Sequence, residues 1–301
     1  MGRAAYRELA ADGRLGERAQ QARDLIRSCR LCPRACGADR AAGEAGFCGG
    51  RGKALLASYG AHFGEERVLV GLKGSGTVFF AGCNLGCVFC QNFDISHGRG
   101  GREVTAEQLA AVFLAVEAMG CHNLNLVTPT PWVPQILEAL CVAAERGLDL
   151  PLVYNCGGYE AVEALRLLDG VVDIYMPDIK YSDEEVARRL SSAPDYPAVV
   201  REAVKEMHRQ VGDLEVDEEG LAVRGLLVRH LVLPGGLAGT REVMRFLARE
   251  VSPGTYVNIM SQYYPAHRAH LYPPLDRRLK PEEYREAVRA AVEEGLWRFD
   301  R

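Results

Sequence analysis

From Gly76 onward, short apolar runs alternate with segments whose apolar residues recur at helical spacing. Residues 77–81 read as a strand. Thr105 and Gln108 have the spacing of a capping box; Leu109, Val112, Phe113, Val116 and Met119 then mark one helical face, which Gly120 ends. Further strands are predicted at 123–127, 151–154, 171–176, 226–233 and 256–261. The intervening helices are predicted at 134–146, 160–168, from a Ser182/Glu185 box to 211, at 240–250 and at 282–294. Pro134 suits a first helical turn, and Gly147 lies just past the end of that helix. Between them, residues 213–224 read as a polar hairpin turning at Glu219-Gly220. Six strand–helix units in succession predict an α/β fold, a partial (β/α)6 parallel barrel. A full barrel needs eight such units, and a doubly wound sheet is the alternative.

The first 70 residues break this rhythm. A helix is predicted over 16–28, a Gly-rich stretch with four cysteines fills 29–51, and 54–60 has strand character. The expected organisation is an N-terminal helix and Cys-rich metal-binding module over 1–70, the barrel over 71–265, and a C-terminal extension and helix over 266–301. With 301 residues, 48% of them hydrophobic, a large core is affordable. Lys and Arg (36) nearly balance Asp and Glu (40), for a net charge of −4 with no basic block, so nucleic acid is not the expected partner. No apolar run is long enough to span a bilayer, and residues 1–23 lack the apolar core of a secretion signal. A cytoplasmic protein with no membrane partner is expected.

The ten cysteines then change the picture. A reducing cytosol disfavours a disulfide framework, so clustered cysteines there read first as metal ligands. Cys29-x2-Cys32-x3-Cys36-x11-Cys48 has ligand-like spacing. Four thiolates close a tetrahedral zinc site or hold an auxiliary iron–sulfur cluster, and either would add folding free energy to a module with little core. The spacing does not choose between them, and a metal-free, redox-sensitive patch is the alternative. Cys83-x3-Cys87-x2-Cys90 directly follows the first strand of the barrel, with Gly86 allowing the loop to wrap. Three thiolates hold three corners of a [4Fe–4S] cubane and leave one iron open. The competing readings are a zinc knuckle with His97 as fourth ligand, or simply buried thiols. Cys121, Cys141 and Cys156 are scattered, and Cys141 lies on an apolar helix face as a small core residue.

The stretch GCNLGCVFCQNFDIS (82–96) resembles the cluster loop of the radical S-adenosylmethionine (SAM) superfamily. NLNLVTPT (123–130), VYNCGGY (153–159), DIYMPDIKY (173–181) and RHLVLP (229–234), with CRLCPRACG and HFGEE near the start, resemble its pyruvate formate-lyase activating-enzyme-like iron–sulfur branch. The resemblance implies that SAM chelates the open iron. Electron transfer then gives methionine and a 5′-deoxyadenosyl radical, which takes hydrogen from a substrate. In that branch the substrate is a glycine of a partner glycyl-radical enzyme, and the electron comes from a donor such as flavodoxin or ferredoxin. Radical modification of a peptide, RNA or small metabolite is the alternative chemistry. A non-catalytic iron–sulfur carrier or sensor is the alternative class.

In parallel barrels the site forms at the C-terminal strand ends. There the resemblance points to Asn155 and Gly157, to the D-x-K pair Asp178 and Lys180, and to Arg229, whose planar fork suits a carboxylate. Strand alternation places Met176, Asp178 and Lys180 on one face, and Arg229 and His230 on opposite faces. Thr128 and Thr130 occupy the place of the usual Gly-rich segment, from which TPTPW departs, and Gln262 qualifies by position at the sixth strand's end. Asp94, His97, Tyr263 and Tyr264 are candidates for the substrate side. Cys156 belongs to that loop or simply packs, His230 reads as a satisfied core residue, and His62 with Glu65 and Glu66 reads as a solvated turn.

Overall fold

A computed structural model describes residues 4–97 and 100–300. In chain order the elements are α1 (Tyr6–Ala11), α2 (Arg14–Leu25), β1 (Ala54–His62), α3 (Arg67–Val70), β2 (Ser75–Phe80), α4 (Phe93–Ser96) and β3 (Arg102–Val104). Then come α5 (Ala106–Ala118), β4 (Leu124–Val127), α6 (Val133–Glu145), β5 (Leu152–Cys156), α7 (Val162–Arg166), β6 (Ile174–Pro177), α8 (Glu184–Ser191) and α9 (Tyr196–Val211). The chain closes with β7 (Glu215–Val216), β8 (Ala222–Leu231), α10 (Thr240–Phe246), β9 (Tyr256–Met260), α11 (Pro281–Glu293) and β10 (Arg298–Phe299).

One sheet runs in the order β10-β9-β8-β6-β5-β4-β2-β1-β3. Every pairing from β2 through β10 is parallel, whereas β1 pairs antiparallel with both β2 and β3. Its ends, β10 and β3, do not pair, so the barrel is open, as a run of six units predicts. The short β7 folds back on β8 as the expected hairpin.

Local chemistry sets most boundaries. Thr105 and Gln108 form the capping box that starts α5. The helix after β6 is capped one residue later than its Ser182/Glu185 spacing predicts: Asp183 accepts the Val186 N–H. That helical region is also two helices, because Ser192 turns left-handed (φ +51°) and α9 restarts around Pro197.

Two features outside the six units shape the lumen. α1 and α2 lie against α6, with the Tyr6 hydroxyl donating to the Leu150 carbonyl (3.1 Å) and Arg23 paired with Glu138. The segment between β1 and β2 enters the lumen. Its Leu69 packs with Val153, Ile174, Met176 and Leu227 to make an apolar floor, and the Arg67 N–H reaches Asp300 beyond β10 (3.3 Å). No helix among the described residues is long and apolar enough to cross a membrane.

Candidate active site

Above that floor lies a cleft of about 370 Å³. β2 ends at Phe80, and the chain then turns through the cluster loop, which is pinned by backbone bonds to three separate places. Gly82 N–H donates to Ile95 O (2.8 Å), Val88 N–H to Leu190 O (2.9 Å), and Arg268 N–H to Val88 O (2.8 Å). Phe89 anchors it further, edge-on to Tyr181 and Tyr263. This brings Cys83, Cys87 and Cys90 to one wall of the cleft.

Groups able to donate lie against each of these sulfurs, and Cys83 Sγ also faces the Asn84 Oδ1 acceptor at 4.0 Å. Leu85 N–H lies 3.4 Å from Cys83 Sγ, Ser191 Oγ donates to Cys87 Sγ (2.9 Å), and Ser96 Oγ sits 3.2 Å from Cys90 Sγ. Burial pushes the Cys83 and Cys87 thiols up, and Lys180 acts against it. Donors aimed at sulfur favour thiolate once iron supplies the positive charge. Among the described residues no three Cys, His, Asp or Glu side chains stand as ligands to a single ion. His97 supplies no fourth ligand: its Nδ1 faces Phe93 O and Ser96 Oγ, and its ring lies beside that of His267. Three thiols with no fourth protein ligand among the described residues fit a cubane with one open iron.

Opposite the cysteines are the strand ends. β6 finishes at Pro177, Asp178 bridges to Arg229 of β8, and Asp178 and Lys180 form an ion pair at 2.6 Å in the cleft wall. Burial opposes the charge on Lys180, but Asp178, Cys87 and Tyr196 outweigh it and hold its pKa up. Asn155 and Gly157 line the same wall, as does Cys156, which is buried and donates to Glu160. Thr128 lines it with φ +58°, an uncommon conformation for a β-branched residue and of the kind found at functional sites. Gln262 is exposed at the rim, where its carbonyl takes Gln91 Nε2 (3.3 Å).

Other expected residues fall elsewhere. Thr130 is buried away from the cleft, donating to Glu160 Oε1 (2.6 Å), because the turn Thr130–Trp132 carries it behind the sheet end. Tyr263 is buried and bonded to Leu275 O (2.6 Å); Tyr264, Asp94 and His97 are exposed and outside the cleft lining. His230 points to the helix side, its ring between Ile179 O (2.7 Å) and Thr240 Oγ1 (2.9 Å).

The segment read as a solvated turn is a correction. Glu66 is 1% exposed and the Glu65 side chain 7%, both inside the lumen, and only His62 remains half out. Arg229 enters the cleft, yet its nearest carboxylates are these two, Glu66 at 3.1 Å and Glu65 at 3.6 Å. Asn258 Nδ2 also binds Glu66 (2.7 Å). Burial raises the pKa of Glu65, with Arg229 opposing. The only local hint was that the acidic pair directly precedes the apolar turn of α3, which must go inward. Ser191, 104 residues from Cys87, left no local signal at all.

Comparison with known proteins agrees with this geometry. The description "Radical SAM superfamily" matches residues 77–235. An uncharacterized protein of Methanocaldococcus jannaschii is 33% identical over 285 residues, covering 91% of this chain and 77% of its own length. Among solved structures, a radical SAM methyltransferase from Sphaerobacter thermophilus superposes with a TM-score of 0.52 at 16% identity. That match covers 74% of this chain, and this chain spans 65% of the other, just under two thirds. With its three-cysteine loop at the mouth of an open parallel barrel, the chain belongs to the radical SAM superfamily.

Proposed function

We propose that this chain reductively cleaves SAM and abstracts hydrogen from a substrate held in the lumen. The observation that carries it is the single cleft walled by Cys83, Cys87 and Cys90 on one side and by Asn155, Asp178 and Lys180 on the other. The cluster and SAM, reduced by a flavodoxin- or ferredoxin-type donor, supply a 5′-deoxyadenosyl radical. The chain's residues do the rest. The three cysteines hold iron, while Ser191, Ser96 and Leu85 N–H steady their sulfurs. Asp178 and Lys180 offer a fixed acceptor and donor pair to the amino-acid end or ribose of SAM. Arg229, already balanced by Glu65 and Glu66, keeps the deeper lumen polar without carrying an unpaired cation.

The resemblance of segments such as 153–159 and 173–181 to activating enzymes makes a glycine of a partner protein the first substrate to test. Methyl transfer rests on no residue of this chain, since the methyltransferase named above is matched in fold alone.

The test is product analysis on anaerobically reconstituted, reduced protein given SAM, beside Cys90→Ala. The expected result is 5′-deoxyadenosine from the wild type and none from a folded Cys90→Ala. No 5′-deoxyadenosine from protein with a full, reduced cluster would favour the carrier or sensor class. S-adenosylhomocysteine as the main product would replace hydrogen abstraction with methyl transfer.

A further inference from the structure

The four N-terminal cysteines line a small void of their own and take no part in the cleft. Unmet hydrogen-bonding capacity collects instead in the lumen. Among the described residues seven buried side-chain nitrogens and oxygens find no partner, and four of these belong to Glu65, Glu66, Arg229 and Asn125. Arg229 Nε stands 3.1 Å from Glu66 and its Nη1 3.6 Å from Glu65, close enough to share charge but without the alignment of hydrogen bonds. Asn258 fills one oxygen of Glu66 (2.7 Å) and Asn125 lies against Glu65, yet Oε2 of each acid stays open. Buried polar atoms are nearly always paired, so four orphans at one place call for a partner.

Charge decides what that partner is. Asp178 and Lys180 neutralise each other at 2.6 Å, which leaves Arg229 alone against both Glu65 and Glu66. Asp178 and Asp300 also bear on Arg229, and both are acids. His62 does not make up the difference. Its Nδ1, 3.5 Å from Glu65 Oε1, accepts the Gly64 N–H (3.3 Å), so that nitrogen carries no proton and the ring is not an imidazolium. A neutral donor would fill a hydrogen bond and leave the charge, and a buried carboxylate without its own cation is costly.

The cation is organic. A divalent metal ion wants about six oxygen ligands, and among the described residues no three carboxylate, imidazole or thiol groups converge on one ion. Glu65 is the acid that lines the cleft, so an entering group meets it first. Beside it the cleft is apolar: Phe79, edge-on to His62 (ring centroids 6.3 Å), Leu231 and Met260 line it and suit an alkyl stem.

We infer that Glu65 anchors the substrate, and that the molecule losing hydrogen in the lumen carries a protonated alkylamine to it. This names the substrate class of the reaction proposed above and rests on the lumen being its substrate chamber. A glycine presented by a partner chain would meet Glu65 through a neighbouring lysine; a small metabolite would use its own amine.

The test is calorimetric titration of reconstituted, SAM-loaded protein without reductant, so that binding is read apart from SAM cleavage. The probes are butylamine against 1-butanol, and an acetylated Gly-Lys-Gly amide against its norleucine counterpart. At least one cation should bind about tenfold or more tighter than its neutral analogue, and Glu65→Gln should erase that preference. Selection of butylamine over the peptide would assign a free amine, and the reverse a lysine-bearing chain. No preference for either cation in the wild type would overturn the inference, a comparison that needs no variant to fold. A preference kept in folded Glu65→Gln, or a loss there confined to SAM affinity, would overturn it too. Absence of 5′-deoxyadenosine on reduction would strike the proposed reaction and leave these titrations as they stand.

Discussion

Asp178 and Lys180 neutralise one another where water is scarce, so removing either strands the other. Asp178→Ala and Lys180→Ala should each weaken SAM binding about tenfold or more, roughly 1.4 kcal/mol, while the iron content of the protein holds. Equilibrium binding on reconstituted protein is the check, and unchanged affinity in both variants would take the pair out of the site. His230 answers to pH instead. Burial depresses its pKa to about 4, against 6.5 for a free imidazole. Because the folded state refuses a proton that the unfolded chain accepts, stability from this group is complete above pH 6.5. It is lost as pH falls from there to about 4, up to roughly 3 kcal/mol. Denaturant midpoints at pH 7 and pH 4.5 should show that loss, and His230→Gln should flatten this part of the profile.

Between residues and the whole lies the NCGGY turn after β5, where two adjacent glycines do different work. A Cβ at Gly158, already left-handed at φ +76°, would meet the Asp178 carbonyl at 2.3 Å and Val200 at 2.8 Å. At Gly157 the nearest atoms are the Leu85 side-chain end at 3.0 Å and Lys180 Cε at 3.8 Å, both movable. Gly158→Ala should therefore cost about 2–4 kcal/mol and displace Asp178, weakening SAM binding as well. Gly157→Ala should be mild in both; thermal melting beside SAM titration separates the two cases.

Element by element, much was legible in the chain. Short apolar runs located the strands of the six units because β2, β4, β5 and β6 are buried along nearly their whole length. The break at Ser192 was missed although Pro194 and Pro197 signalled it, and Asp183 competed with Ser182 for the cap. The strand-end candidates share one cleft because parallel topology brings all C-terminal ends together. Thr130 escaped that logic through a tight turn. Glu65 and Glu66 did so because their partner Arg229 lies on a strand more than 160 positions later. A pairing of that kind has no local period to read.

At the scale of the molecule, the open barrel is braced by segments from both ends of the chain. The stretch after β1 plugs its floor, β10 extends its last edge, and α1 and α2 brace α6 from outside. The cluster loop sits among parts that are distant in sequence: its Val88 is gripped by Leu190 from α8 and by Arg268 from the C-terminal third. That grip implies a testable order of assembly. A nascent chain has emitted all three catalytic cysteines by residue 90, yet the clamp that shapes their loop does not exist until residue 268 has left the ribosome. Cluster delivery to this loop should then be a late event, made to a nearly finished barrel. A chain ending at residue 264 should stay poor in iron at the loop under conditions that load the intact protein, as iron assay of the two would show.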